Sequence, residues 1–351
     1  MKTIMKKLFT LSMLFVATAL FAQEEVTEKK LSISGSVDAY YRANLNAPND
    51  ENAIAPGSSF AQLPGFALGM ANVVLGYEGE KAGFVADLVF GPRGTDAIFN
   101  SPSYSATGNI INQLYAYWNV SESVTLTLGN FNTFLGYEVI SPTANFNYST
   151  SYLFSYGPFS HTGIKADIAL SDDFSLMLGV MNDTDVTEFN TTGDYAFGAQ
   201  LGYSGQFLNV LVDPSFFEID FTGGFDLSDD FFLGINAAYL KNEDVGPIDG
   251  GAFAGVALYP QLATSDAFTI GLRGEYFTET DGGAGAIGAY DADGDSSVFA
   301  VTLTGSLAVE NLTIKPELRL DSGSEDGTFI DNDLMPSKSL GSFVLAAIYS
   351  F

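Results

Sequence analysis

The stretch "LTIKPELRLD", Leu312 to Asp321, sets Leu312, Ile314, Pro316, Leu318 and Leu320 at every second position, with Thr313, Lys315, Glu317, Arg319 and Asp321 between them. Successive side chains of an extended strand point to opposite faces, so this run has an apolar face and a charged reverse. "FTIGLRGEYF" repeats the split, with Phe268, Ile270, Leu272 and Tyr276 opposite Thr269, Gly271, Arg273 and Glu275. "VFAVTLTGSL", from Val298, and "FFEIDFTGGFDL", from Phe216, follow the same rule.

Runs of this kind predict about sixteen strands, each of a length that crosses a bilayer when tilted. They begin near Leu31, Gly65, Gly83, Ile110, Val124, Thr162, Phe174, Tyr195, Phe207, Phe216, Phe231, Ala252, Phe268, Ser297, Leu312 and Leu340. The runs near Gly65, Ile110, Phe207 and Ala252 alternate least cleanly. No segment sustains a helical period long enough for an α/β fold, so the expected class is all-β.

Tight links recur at Glu78–Lys81, Ser121–Ser123, Ser171–Asp173, Ser228–Asp230, Thr264–Asp266 and Glu310–Asn311. They mostly alternate with long polar stretches at 44–63, 93–108, 132–160, 183–193, 278–295 and 322–339. Short turns on one rim and long loops on the other are the pattern of an outer-membrane barrel, whose periplasmic turns are short. A β-sandwich also alternates, but it would have to protect the edges of two sheets, whereas closure removes every edge. In lipid, closure is obligatory, because unpaired backbone groups have no water to satisfy them. The expected fold is a transmembrane antiparallel up-and-down barrel over residues 31–351.

Composition agrees. "MKTIMKKLFTLSMLFVATALFA" places Lys2, Lys6 and Lys7 ahead of a short apolar run, the layout of a signal peptide cleaved after Ala22. Residues 23–30 then form a short periplasmic segment, with no room for a plug domain before Leu31. Losing the three lysines moves the formal charge from −28 to −31 and argues against nucleic acid or anionic lipid as a partner. The chain has no Cys, so disulfides do not stabilise it. A hydrophobic content of 46% excludes disorder.

The last stretch, "LGSFVLAAIYSF", puts Phe343, Leu345, Ala347, Tyr349 and Phe351 on one face, assigned to lipid. The final ring falls where an aromatic girdle would lie, and it resembles the C-terminal signal read by the machinery that inserts outer-membrane barrels.

"SGSVDAYYRANLN" (34–46), "LGMANVVLGYEGEKAGFVADLVFGPR" (68–93), "GLRGEYFTETDG" (271–282), "IKPELRLD" (314–321) and the closing "LAAIYSF" resemble the OmpL-like β-barrel porins. The resemblance spans nearly the whole mature chain. It implies an outer-membrane barrel thought to be a porin, in a family with no catalytic motif to transfer.

The faces opposite the lipid set carry Asp38, Arg42, Asp87, Arg93, Lys165, Asp167, Glu218, Asp220, Asp226, Arg273, Glu275, Lys315, Glu317, Arg319 and Asp321. A lumen of about sixteen strands is too wide for side chains to fill, so these are the expected pore-lining residues of a water-filled channel. They could instead pair with neighbours and rigidify the wall. The aromatic-rich 132–160 loop either packs on the rim or folds inward as a constriction. The excess of acid favours cations over anions.

Enzymatic readings find little support. The single His161, in "FSHTG", stands outside any recognisable arrangement with Ser or acid groups. In "DADGDSS", Asp291, Asp293 and Asp295 are a weak Ca²⁺ candidate whose glycine is misplaced for an EF-hand. "GGAGAIGAY" (282–290) lacks the strand, helix and lysine of a phosphate loop. No cofactor is expected. The expected partners are outer-membrane lipid, small hydrophilic solutes or cations, the insertion machinery and, in a homotrimer, further copies of the chain. The competing functional class is a non-conducting barrel acting as adhesin, receptor or anchor through its external loops.

Overall fold

The structure of the protein, a computed structural model, describes residues 30–98, 110–190, 192–244, 246 and 250–351. The signal-peptide reading of 1–22, and all of 23–30 except Lys30, fall outside the described residues.

Sixteen strands close into one antiparallel barrel. They are β1 (Lys30–Asn44), β2 (Gly65–Glu78), β3 (Ala82–Phe90), β4 (Ile111–Ser121), β5 (Val124–Asn132), β6 (Ser160–Ala169), β7 (Phe174–Met181), β8 (Ala196–Tyr203), β9 (Gln206–Val212), β10 (Phe216–Asp226), β11 (Phe231–Asn242), β12 (Ala252–Ser265), β13 (Phe268–Thr280), β14 (Ser296–Val309), β15 (Leu312–Gly323) and β18 (Ser339–Ser350). All sixteen expected starts fall within two residues of these bounds. A two-stranded sheet of β16 (Phe329–Ile330) and β17 (Pro336–Ser337) lies in the last long connection. It and the short helices α1 (Pro92–Ala97) and α2 (Tyr152–Tyr156) have no counterpart in the sequence pattern.

The alternation places the apolar set outside. Leu272, Tyr276, Leu303, Leu318, Leu320, Leu345 and Tyr349 are exposed, whereas Arg273, Glu275, Thr302, Glu317 and Asp321 are buried toward the axis. This inversion of the soluble plan suits a hydrocarbon solvent. The last strand pairs with β15 on one side and β1 on the other, in the register Ser36↔Ser350 through Asn44↔Ser342. Gly35 and Phe351 exchange N–H···O bonds of 3.0 Å each, so the terminal residue completes the seam.

One irregularity bears on the site. The β1–β2 register shifts between Val37 and Ala39, and the Met70 N–H donates to Asp38 Oδ1 at 3.0 Å. A Cβ on Gly69 would lie 1.6 Å from Asp38 Oδ2, so only glycine leaves that carboxylate its place.

The outward assignment predicts a sided response to charge. Leu303→Arg, facing lipid at mid-strand on β14, should cost about 2–4 kcal/mol, and Ser306→Arg on the inner face should cost under about 1 kcal/mol. Denaturant unfolding from lipid vesicles measures both, and equal penalties would contradict the assignment.

Candidate functional site

The connection from β5 to β6, residues 133–159, folds into the barrel. It carries α2 and a single charged residue, Glu138. Tyr148, Thr150, Ser151 and Tyr152 are each at most 1% exposed. A backbone taken out of water must find hydrogen-bond partners, and here the inward charges of the wall supply them.

The carboxylates take the N–H groups. Glu317 accepts from the Tyr148 N–H at 2.9 Å and the Ser149 N–H at 3.3 Å. Glu275 accepts from the Tyr152 and Leu153 N–H groups at 3.0 and 2.8 Å, at the start of α2. Within the loop, Glu138 accepts from the Ser151 N–H at 2.7 Å, and Ser151 Oγ caps α2 by accepting from the Phe154 N–H at 3.0 Å. Asp220 accepts from the Gly136 N–H at 3.1 Å.

The cations take the carbonyls. Arg273 donates to the Ser149 C=O at 2.6 Å and pairs with Glu138 at 2.7 Å. Arg319 donates to the Thr150 C=O at 2.9 Å while pairing with Asp321 at 2.7 Å. Arg93 reaches the Ile140 and Tyr148 carbonyls at 2.8 and 3.1 Å. Lys315 donates to the Pro142 and Asn145 carbonyls, and Arg42 to the Ile54 C=O of the β1–β2 connection at 3.1 Å. All four arginines of the chain are thus buried and committed to loop carbonyls.

Tyr148 anchors the loop through its side chain as well. Its hydroxyl donates to Asp38 at 2.5 Å, and its ring lies 5.5 Å from that of Tyr40. Burial, and then the neighbouring Asp38 carboxylate, raise the hydroxyl's pKa well above the usual phenol range. The Arg93 guanidinium sits 4.3 Å from the Phe60 ring centre and 5.5 Å from that of Tyr148, and burial lowers its pKa.

Of the fifteen pore-lining candidates, all but Lys165, Asp167 and Asp226 are buried. Arg93 lies beyond the end of β3 at Phe90, buried in α1, which Pro92 opens. Asp87 accepts from Asn72 and Asn112 at 3.1 and 2.7 Å. Glu218 is buried, with one carboxylate oxygen lacking a partner. Lys165 and Asp167 pair at 2.7 Å and keep 16% and 20% exposure, while Asp226 lies exposed at the short-turn rim. Asp291, Asp293 and Asp295 are exposed, and Asp291 Oδ1 accepts from the backbone N–H groups of the other two. Among the described residues, no three acidic or histidine side chains converge as metal ligands. His161 is wholly buried in β6, against the Phe134 ring and within 2.9 Å of Thr133 Oγ1.

Sequence reasoning did not single out Glu138, Tyr148 or Ser149. Their signal was compositional: a lone acid in a long, otherwise uncharged loop has to find a buried partner.

Comparisons with known proteins place this architecture. A family model described as "Putative beta-barrel porin-2, OmpL-like" matches residues 30–351. No curated protein sequence is similar enough to register as a relative. Among solved structures, the outer membrane channel DcaP of Acinetobacter baumannii is similar with a TM-score of 0.60 at 14% identity, covering 95% of this chain and 100% of that one. An anion-selective porin from Comamonas acidovorans has a TM-score of 0.60 at 11% identity, with 92% and 100% covered. The trimer form of OmpT from Vibrio cholerae has a TM-score of 0.57 at 11% identity, with 92% and 99% covered. At such identities the structural likeness establishes the fold alone. With the family model spanning the whole barrel, the chain belongs to the OmpL-like family of outer-membrane β-barrel porins.

Proposed function

We propose that the barrel is a passive diffusion channel for small hydrophilic solutes, narrowed by the 133–159 loop and favouring cations. The observation that carries the reading is the uneven fate of the charges. All four arginines and Lys315 are buried against loop carbonyls, whereas acids remain at both mouths. On the short-turn rim Glu80, Asp173 and Asp230 are exposed, and on the long-loop rim Asp50, Asp281 and Asp293. Water-facing carboxylates lower the barrier for positive charge, and buried guanidiniums do little to offset them. In the lumen, the partly exposed Lys165–Asp167 pair is the site where wall charge meets the solute. Export through removal of residues 1–22, recognition of Phe351 by the insertion machinery and trimer assembly belong to the same reading. No catalytic role is assigned.

Three outcomes are expected. In planar bilayers under a KCl gradient, reversal potentials should show K⁺ preferred over Cl⁻, with the preference weakened by Asp167→Asn. Folded protein that never conducts would move the assignment to an adhesin or anchor working through its external loops. Second, Arg273→Gln should leave the sign of selectivity unchanged and cost about 3–5 kcal/mol, because it strands the buried Glu138 carboxylate. Unfolding in detergent beside the bilayer measurement reads both quantities. Third, replacing residues 137–156 by a short Gly-Ser link should raise single-channel conductance severalfold, and unchanged conductance would show that the loop does not narrow the path.

A further inference from the structure

Between β10 and the inserted loop lies a cavity of about 10 Å³, room for one water-sized sphere. Glu218 and Asp220, two residues apart on the inner face of β10, both line it. Gly136 from the leading stem of the loop and Gly157 and Pro158 from the trailing stem close it. Glu218 is 3% exposed, and its Oε2 is buried without a hydrogen-bond partner. A carboxylate out of water with nothing to bond is strongly disfavoured, so the space beside it invites an occupant.

The donors on the lining are already engaged. The Gly136 N–H is spent on Asp220, the Leu135 N–H on Thr133 Oγ1 at 3.1 Å and the Leu153 N–H on Glu275. The Phe154 N–H goes to Ser151 Oγ and the Gly157 N–H to the Leu153 C=O at 3.2 Å, while Pro158 has no N–H to give. Asn209 and Asn236 turn their side-chain amides to Asp220, and the strand amides of β10 and β11 belong to the wall ladder. No basic side chain lines the cavity, and the charged groups that act on Glu218 are the acids Asp220 and Asp185. The missing partner is a positive charge that the lining does not supply.

We propose that this cavity is a calcium site: Glu218 and Asp220 hold one Ca²⁺, and main-chain oxygens of the loop stems complete its shell, so that the ion clamps the loop to β10. The lining has no His, Cys or Met, which leaves oxygen as its ligand class and a hard cation as its guest. Asp220 accepts three hydrogen bonds, and a carboxylate has about four lone-pair directions, so one remains for a metal. Ca²⁺ balances the two carboxylates, whereas a monovalent ion leaves one charge over. Mg²⁺ keeps several of its waters, and a space of this size does not admit them. Two acidic side chains suffice because the loop backbone lines the cavity from both stems.

The site does not depend on the channel reading, and its test reads binding rather than conduction. The protein, folded in detergent and stripped of metal by a chelator, is dialysed against radioactive Ca²⁺ at fixed ionic strength with Mg²⁺ in excess. One ion per chain should be retained, and Ca²⁺ should raise the unfolding temperature above that in chelator. Glu218→Gln keeps the shape of the side chain and removes its charge. It should weaken binding by about tenfold or more and abolish the temperature shift, whereas Asp293→Asn, in the exposed acidic turn, should do neither. Wild type that retains no ion, or binding that survives Glu218→Gln, overturns the proposal and leaves the cavity to a water or to a proton on Glu218. Should Glu218→Gln fail to fold, Glu218→Asp carries the test, since it withdraws the carboxylate by one methylene: affinity should fall severalfold, and unchanged affinity overturns the site.

Discussion

A backbone N–H or C=O removed from bulk water must be paired within the protein, and this molecule meets that demand twice. Against lipid it is met by closure: sixteen strands satisfy one another around a ring that ends where Gly35 and Phe351 exchange hydrogen bonds. Inside the ring it arises again, because residues 133–159 bring their own peptide groups into the lumen. The second solution explains the first puzzle of the sequence, a strand face of alternating Lys, Glu, Arg and Asp. Those side chains are long and bear donors or acceptors at their tips, which lets a smooth β-wall reach an irregular backbone.

Electrostatics follows from that geometry. A guanidinium spends its donors on carbonyls and on a partner carboxylate, as Arg273 and Arg319 do, so its field is largely cancelled at the wall. The two readings of the charge ladder, structural pairing and pore lining, thus separate by position. On β13 and β15 the charges are mortar; on β6 they remain in contact with water.

Much of the fold was legible because a period of two survives in most strands. Where it faded, the reason is now visible. The weak run at Ala252 sets Phe253, Ala257 and Tyr259 inward, and they pack with Tyr152 and Leu153 of the loop. Met70 on β2 packs with Phe154, and Leu211 on β9 and Tyr115 on β4 lie against Leu135. Where apolar side chains of the loop, rather than its peptide groups, cover the inner wall, polarity is not required there, and both faces become apolar. Blurred alternation was the imprint of the inserted segment. The seat itself was illegible because the loop contributes mainly peptide groups, which every sequence has.

The Tyr148 seat also sets an order of events. Asp38 on β1 takes its hydroxyl and Glu317 on β15 takes its N–H, and those strands flank β18 in the ring. Before the two ends of the chain meet, the phenol and its peptide have no common dock. The complete seat of Tyr148 therefore exists only in the closed ring, with β1 and β15 flanking the last strand.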